Sequence, residues 1–447
     1  MFRPASRAFF QATAIAAVLA IVPVGTSAMA SVDTDTYREI DQFMDVFNRV
    51  KVDYVDKVDD KTLIKGAISG MLAALDPHSA YETGLDYDNL RIQTSGSYGG
   101  LGLSVTMEDG AVKVMTPQKD TPAWRAGVKS GDYITHINGK LIYGESLDDA
   151  IQEMRGPPGS KITITLIRPG HDKPIDVAIV RERIVQKPVT WEVKNGIGVI
   201  NILTFSENTG EATKAAILGI EKSLGHAPLG YIVDLRDNGG GLRDEAVNVA
   251  DNFLNYGEIV SERGREKSDI QRFYAHNGDY AHGLPVIVLT NAGTASASEI
   301  VAGALQDHHR ALIMGVRSFG KGSVQTVLDL GNNTALRLTT SRYYTPSGRS
   351  VQEGGIEPDI KVPQLTDPDY KTRPVFREDD LRRHLINEVK SDNAVLEEDS
   401  KTDPRFAATP EQLKAKGIED FQLDYALKTI GRLGAAPQVA SATPVKR

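Results

Sequence analysis

The chain contains no cysteine in 447 residues. That excludes a disulfide framework, a thiolate-ligated zinc, an iron–sulfur cluster and a cysteine nucleophile. None of its nine histidines stands in H-E-x-x-H or another metal-binding spacing. No G-x-S-x-G turn occurs either. Basic charge is short: 51 Lys and Arg against 59 Asp and Glu give a formal charge of −8, the wrong sign for a nucleic-acid partner. No apolar run reaches the ~20 residues of a spanning helix. What is present is 40% hydrophobic and 25% charged. That suffices for buried cores, and the length suggests about three domains.

Residues 1–30 stand apart. Arg3 and Arg7 precede an apolar stretch, Ala14 to Val22, which is followed by Pro23, Gly25 and Ala28-Met29-Ala30. This is the order of a secretory signal peptide. The expectation is export to the periplasm, with membrane association if the segment is kept as an uncleaved anchor. An exported fold without cysteine rests on its cores alone.

Four regions follow. Residues 31–90 read as helical, with stripes at Tyr37, Ile40, Phe43, Met44, Phe47 and Val50 and at Leu63, Ile64, Ile68, Met71, Leu72 and Leu75. Such stripes serve a core or a dimer seam. Residues 91–183 are short strands punctuated by glycine, with alternation in Ile162–Ile167 and Ile175–Val180. Leu147, Ala150, Ile151 and Met154 predict one short helix there, ended by Gly156-Pro157-Pro158-Gly159. Residues 184–363 alternate buried strands (Gly198–Leu203, Gly230–Leu235, Pro285–Leu289, Ala311–Met314) with helices, predicting an α/β core with a mixed sheet. Residues 364–447 carry helical runs at Asp379–Val389 and Phe421–Leu433, then a Pro/Ala-rich tail, Gly434–Arg447, predicted to be disordered.

Three loops concentrate the chemistry. Asn291-Ala-Gly-Thr-Ala-Ser-Ala-Ser-Glu-Ile300 follows a buried strand and opens a helix. A Ser there sits at the positive end of the helix, able to attack a carbonyl, with the Ala297 N–H aimed at the resulting oxyanion. The same Ser also reads as an ordinary N-cap. Gly315-Val-Arg-Ser-Phe-Gly-Lys-Gly-Ser-Val-Gln325 nearly matches a phosphate-binding loop. It fails where Gly322 replaces the magnesium-ligating Ser or Thr, and Val324, Thr326 and Leu328 then alternate like a strand. Asp234-Leu-Arg-Asp-Asn-Gly-Gly-Gly-Leu242 offers unhindered N–H groups for an oxyanion or a peptide backbone, or is a flexible turn. Each loop follows a core strand, so the three can converge at one sheet edge. Ser plus Lys is a workable nucleophile and base, provided that burial keeps the amine neutral.

On these residues the chain resembles a C-terminal processing peptidase, or tail-specific protease. The resemblance is carried by Gly293–Ile300, Phe319–Gln325 and Asp234–Gly241, and extended by Leu338–Arg349 and Gly355–Asp359, across roughly residues 37–363. It implies an exported serine endopeptidase with a ClpP/crotonase-like core. By the same resemblance Ser296 is the nucleophile, Lys321 the base and Gln325 the residue that orients Lys321. The oxyanion donors are the N–H groups of Ala297 and of the Gly239–Gly240 turn. Ser298 is the rival nucleophile.

Residues 91–183 resemble a PDZ domain inserted before the protease core, with Ala126–Gly139 as its strand–turn signature and Gly100-Leu101-Gly102-Leu103 as its carboxylate loop. Leu101, Leu103, Leu147, Ile151 and Met154 either line a pocket for an apolar C-terminal side chain or form the module's own core. The implied organisation is 1–30 signal, 31–90 helical, 91–183 PDZ, 184–363 protease and 364–447 helical with a tail. The implied partners are protein substrates with exposed C-terminal tails, a second copy of the chain and, in some members, an adaptor. No metal, cofactor or nucleic acid is expected. The alternative is a non-catalytic PDZ scaffold with a degenerate protease fold.

Overall fold

A computed structural model describes residues 34–435 except 267, 277, 371 and 389–402. The predicted signal, 1–30, and the predicted tail from residue 436 on lie outside the described residues; the first two residues of that tail, Gly434 and Ala435, instead end the helix Phe421–Ala435. Among those described, no helix is long and apolar enough to cross a membrane.

The chain divides into two units at Gly66. The first holds the helix Thr34–Asp53 and the start of the helix Asp60–Ala73. The predicted apolar stripe is on the first helix, where Tyr37, Ile40, Phe43 and Met44 are 45–59% exposed and Phe47 and Val50 half-buried.

The second unit is organised by a six-stranded mixed sheet. Its order is Val189–Lys194, Ile197–Ile202, Tyr231–Asp234, Val286–Thr290, Leu312–Gly315 and Ile360–Lys361. The first pair is antiparallel and the rest are parallel. Side chains alternate between two cores, as a pleated strand requires. Ile200, Ile202, Val233, Val288 and Ile313 face the helices Thr209–Leu224, Arg243–Asp251 and Ala297–Asp307. Val199, Ile232, Ile287, Leu289 and Met314 face the C-terminal helix Phe421–Ala435 through Phe421, Ala426 and Ile430. Both faces are covered, which is why the parallel strands read as continuous apolar runs.

A second sheet joins Thr334–Tyr344 to Ser323–Gly331, Glu258–Arg263 and Ala80–Thr83, with Ile270–Tyr274 at its edge. Ala80–Thr83 lies in the stretch predicted to be helical. It is a strand because Thr334–Arg337 pairs with it. The predicted helix Asp379–Val389 is also absent. After one 3-10 turn, Glu378–Asp380, the described part to 388 is non-helical. Tertiary hydrogen bonds hold it: His384 Nε2 to Glu353 at 2.8 Å, and Asn387 N–H to Glu353 at 3.1 Å.

The glycine-punctuated region forms its own sheet, ordered Leu103–Glu108, Ala111–Pro117, Tyr133–Ile137, Lys161–Ile167 and Ile175–Val180. The predicted helix Leu147–Met154 packs on it through Ala150 and Met154. The chain enters and leaves through paired strands, Ser97–Gly100 and Glu182–Val185. Buried Arg181 donates to the carbonyls of Glu153 and Met154 at 2.8 and 3.0 Å, satisfying the free acceptors at that helix end.

Candidate active site

The three loops leave the C-terminal ends of the adjacent parallel strands Tyr231–Asp234, Val286–Thr290 and Leu312–Gly315, where open α/β sheets place their sites. They are stitched together by backbone. Ala295 N–H donates to Asn238 C=O at 3.0 Å, and Phe319 N–H to Thr294 C=O at 2.9 Å.

Ser296 opens the helix Ala297–Asp307 with φ 56° and ψ −117°, a conformation that costs a non-glycine residue on the order of 1–3 kcal/mol. Such a turn pushes the side chain out of the line of the chain. Ser296 and Glu299 stand in capping-box relation. The Glu299 carboxylate accepts the Ser296 N–H at 2.8 Å, while the Ser296 hydroxyl makes no cap hydrogen bond. The rival Ser298 is 0% exposed and donates its hydroxyl to Asn238 C=O at 2.9 Å. It is therefore unavailable to a substrate.

The Gly239–Gly240 turn abuts this helix start. A Cβ on Gly240, φ +98°, would come within 2.8 Å of both Ala295 C=O and Ala297 N and 2.9 Å of Ser296 Cβ. Of the expected oxyanion donors, Gly240 N–H is turned inward onto Asn238 Oδ1 at 2.9 Å, so it is not available as one. The N–H groups of Gly239 and Ala297 have no hydrogen-bond acceptor among the described residues.

Lys321 lies between Gly320 and the strand that starts at Ser323. This is strand, not helix, so the likeness to a phosphate loop ends here. The N–H groups of Gly320 and Lys321, which such a loop would offer to phosphate, instead hold the Glu299 carboxylate at 2.7 and 3.0 Å. Burial pushes the Lys321 amine down to about 8; Arg337 adds to that shift, while Glu378, Glu299 and Asp76 oppose it. Ser296, Ala297, Gly239, Gly240, Lys321 and Gln325 all line one cavity of about 500 Å³. Two expected contacts are not made. No hydrogen bond joins Ser296 Oγ to Lys321 Nζ, and Gln325 does not reach Lys321: its amide donates to Ser323 Oγ at 3.0 Å and Thr339 Oγ1 at 3.3 Å.

Several contributing residues were not singled out in the sequence. Glu299 was visible as the last letter of a Ser-x-x-Glu capping pattern. Tyr343, in the strand Thr334–Tyr344, directs its hydroxyl to the carbonyls of Ser296 and Lys321. Asp76 accepts from Ser79 Oγ at 2.7 Å and Thr339 Oγ1 at 3.1 Å, anchoring the threonine that holds Gln325. Tyr343 falls within the Leu338–Arg349 stretch that extends the resemblance, but nothing local assigns a site role to it or to Asp76. Among the described residues there is no cluster of three or more His, Asp or Glu that could hold a metal ion.

In the glycine-punctuated module, Leu103–Glu108 is a sheet edge. Gly102 turns the chain with φ +76°. Its carbonyl is taken by Gln118 N–H at 2.9 Å and that of Leu101 by Ala123 N–H at 3.0 Å, whereas the N–H groups of Leu101 and Gly102 have no acceptor among the described residues. Leu101 and Met154 are buried in the module's core; Leu103, Leu147 and Ile151 pack on that core while partly open. The expected pocket residues thus divide between the two readings.

Residues 196–362 match Peptidase family S41, residues 113–168 a PDZ domain, and residues 17–84 the activating protease CtpB N-terminal domain. A carboxy-terminal-processing protease of Bartonella bacilliformis is 49% identical over 374 residues, covering 83% of this chain and 86% of that one. A "probable CtpA-like serine protease" of Staphylococcus aureus is 34% identical over 353 residues, 78% of this chain and 70% of that one. The solved photosystem II D1 C-terminal processing protease is 31% identical, over 74% of this chain and 94% of that chain, at a TM-score of 0.42. The chain therefore belongs to the carboxy-terminal-processing proteases of peptidase family S41, serine-type endopeptidases that carry a PDZ domain.

Proposed function

We propose that the chain is an exported endopeptidase that captures apolar C-terminal tails of proteins and cleaves them with Ser296 and Lys321. The observation that carries this reading is the pairing of an uncapped serine on a positive-φ turn with a buried, pKa-lowered lysine on one cavity. The neutral Lys321 amine takes the Ser296 proton as Oγ attacks the scissile carbonyl carbon. The oxyanion is met by the N–H groups of Ala297 and Gly239. The Lys321 ammonium then gives its proton to the leaving amine, the C–N bond breaks, and an acyl-enzyme remains. Water attacks the ester, Lys321 takes its proton, and that proton returns to Ser296 Oγ. Gln325, held by Ser323 and Thr339, lines the substrate side of Lys321.

In the PDZ module the free N–H groups of Leu101 and Gly102 meet the terminal carboxylate. The peptide adds as a strand to Leu103–Glu108, beside Leu147 and Ile151. The domain limits inferred from the sequence, the ClpP/crotonase-like kinship of the core, periplasmic export and use of an adaptor belong to the same proposal. So does pairing of two copies, which the exposed apolar side chains Tyr37, Ile40, Phe43 and Met44 of Thr34–Asp53 support. The decisive test is cleavage of a loosely folded substrate by Ser296→Ala and Lys321→Ala. Both lose activity; wild-type rates in either would refute the pair.

A further inference from the structure

Two side chains outside the Ser296–Lys321 pair hold both of its members by the backbone. One oxygen of Glu299, Oε2, accepts the N–H of Ser296 at 2.8 Å and that of Lys321 at 3.0 Å. The other, Oε1, accepts Gly320 N–H at 2.7 Å and the Ser318 hydroxyl at 2.5 Å. From the strand Thr334–Tyr344, the Tyr343 hydroxyl meets the Ser296 carbonyl at 3.0 Å and also the Lys321 carbonyl. Tyr343 N–H adds a 2.9 Å bond to Gly322 C=O. Glu299 is 0% and Tyr343 2% exposed.

This chemistry is not interchangeable. Burial pushes the Glu299 carboxyl up to about 7, against the pull of its four donors; once ionised it only accepts, so all four can converge on it. A glutamine amide would turn its own donors onto one pair of those N–H and O–H groups. The phenol has a single proton, shared between two carbonyls; with phenylalanine the Ser296 carbonyl keeps the N–H groups of Glu299 and Ile300, whereas the Lys321 carbonyl loses this donor. The positive-φ turn at Ser296 persists only while its surroundings hold it.

We propose that Glu299 and Tyr343 form a two-point clamp that fixes the Ser296 turn against the Lys321 loop, so that side-chain rotation alone closes the reacting pair. The inference rests on the Ser296–Lys321 reading above. Glu299 and Tyr343 are positioning residues: they act through the backbone of the two residues they hold.

The test compares kcat, KM and the rate of Ser296 labelling by a fluorophosphonate in Glu299→Gln, Tyr343→Phe and Ser296→Ala, on the full chain. A misplacement of about 1 Å can cost about 100-fold in rate. The expectation is a kcat loss of about that size in Glu299→Gln and about 10-fold in Tyr343→Phe, with KM within about twofold and labelling slowed in proportion. A folded Glu299→Gln or Tyr343→Phe enzyme with kcat within about threefold of wild type, beside an inactive Ser296→Ala, overturns the clamp. If Glu299→Gln does not fold, Tyr343→Phe decides, because its ring keeps its packing. Wild-type cleavage by Ser296→Ala overturns the underlying Ser296–Lys321 reading instead.

Discussion

His78 Nε2 lies 2.9 Å from both carboxylate oxygens of Glu378, a residue 300 positions away in the chain. Glu378 also accepts from the Gln352 amide at 3.0 Å, and Gln352 Oε1 accepts Gly322 N–H at 2.9 Å. Segments on both sides of the matched protease region thus support the residue next to Lys321.

The charges around Lys321 predict opposite shifts. Glu378 favours the ammonium, whereas Arg337 disfavours it. Glu378→Gln therefore lowers the Lys321 pKa further, and the rising limb of kcat/KM moves to lower pH. Arg337→Gln moves it to higher pH. Rate profiles from about pH 6 to about pH 10 read both. Shifts in the same direction would remove Lys321 as the group titrating in that limb. Glu378→Gln also loses about 1–3 kcal/mol of stability through its weakened buried bonds.

The two glycines of the oxyanion turn differ sharply. A Cβ at Gly239 meets nothing within 4 Å, whereas one at Gly240 meets Ala295, Ser296 and Ala297 at 2.8–2.9 Å on a backbone of φ +98°. Gly239→Ala keeps its N–H and is expected to retain kcat within about threefold. Gly240→Ala must displace the Ser296 turn and is expected to lose about 100-fold or more in kcat. Equal losses in the two variants would contradict the packing of this turn.

How much of this was legible in the sequence follows from how local each feature is. Tyr231–Asp234 and Val286–Thr290 were readable because strands buried on both faces are apolar at every step. The helix at Leu147–Met154 was readable from its spacing and its Gly-Pro-Pro-Gly stop. Ala80–Thr83 was not, because four residues become a strand only through a partner some 250 positions later, Thr334–Arg337. The run after Glu378 has helical spacing, but bonds to Glu353 override it. At the site, loop chemistry drew attention to the Asn291–Ile300 and Gly315–Gln325 loops, and the resemblance assigned Ser296 and Lys321 their roles. The positive φ of Ser296 was not legible, because contacts with Gly240, Glu299 and Tyr343 impose it. The resemblance implies that Gln325 orients Lys321, yet its amide donates to two other hydroxyls.

Carboxylate capture by the PDZ module predicts a simple discrimination. The N–H groups of Leu101 and Gly102 await an acceptor, and a carboxylate is a stronger one than an amide. A peptide with an apolar free C-terminus should bind at least about tenfold more tightly than its C-terminally amidated form, as read by calorimetry. Ile151→Asp, on the open side of the helix Leu147–Met154, should weaken the acid form as well. Equal affinity for acid and amide would rule out carboxylate capture.

The lowered pKa of Lys321 has a consequence for stability with a definite sign. Burial depresses it to about 8 from an ordinary 10.5. Between those two values the unfolded chain holds a proton that the folded one has released, so stability rises with pH across that window. Below it both states are protonated, and the folded state bears the full cost of a buried ammonium, on the order of 3 kcal/mol. Lys321→Met keeps the length of the side chain and removes the charge. It should abolish cleavage, raise the stability by about that amount at neutral pH, and erase the rise in stability between pH 8 and 10.5. Urea unfolding of both proteins at pH 7 and in the upper half of that window reads the difference. A Met variant no more stable than wild type at pH 7 would mean that the lysine amine is solvated in the folded chain and is not the lowered-pKa base the mechanism needs.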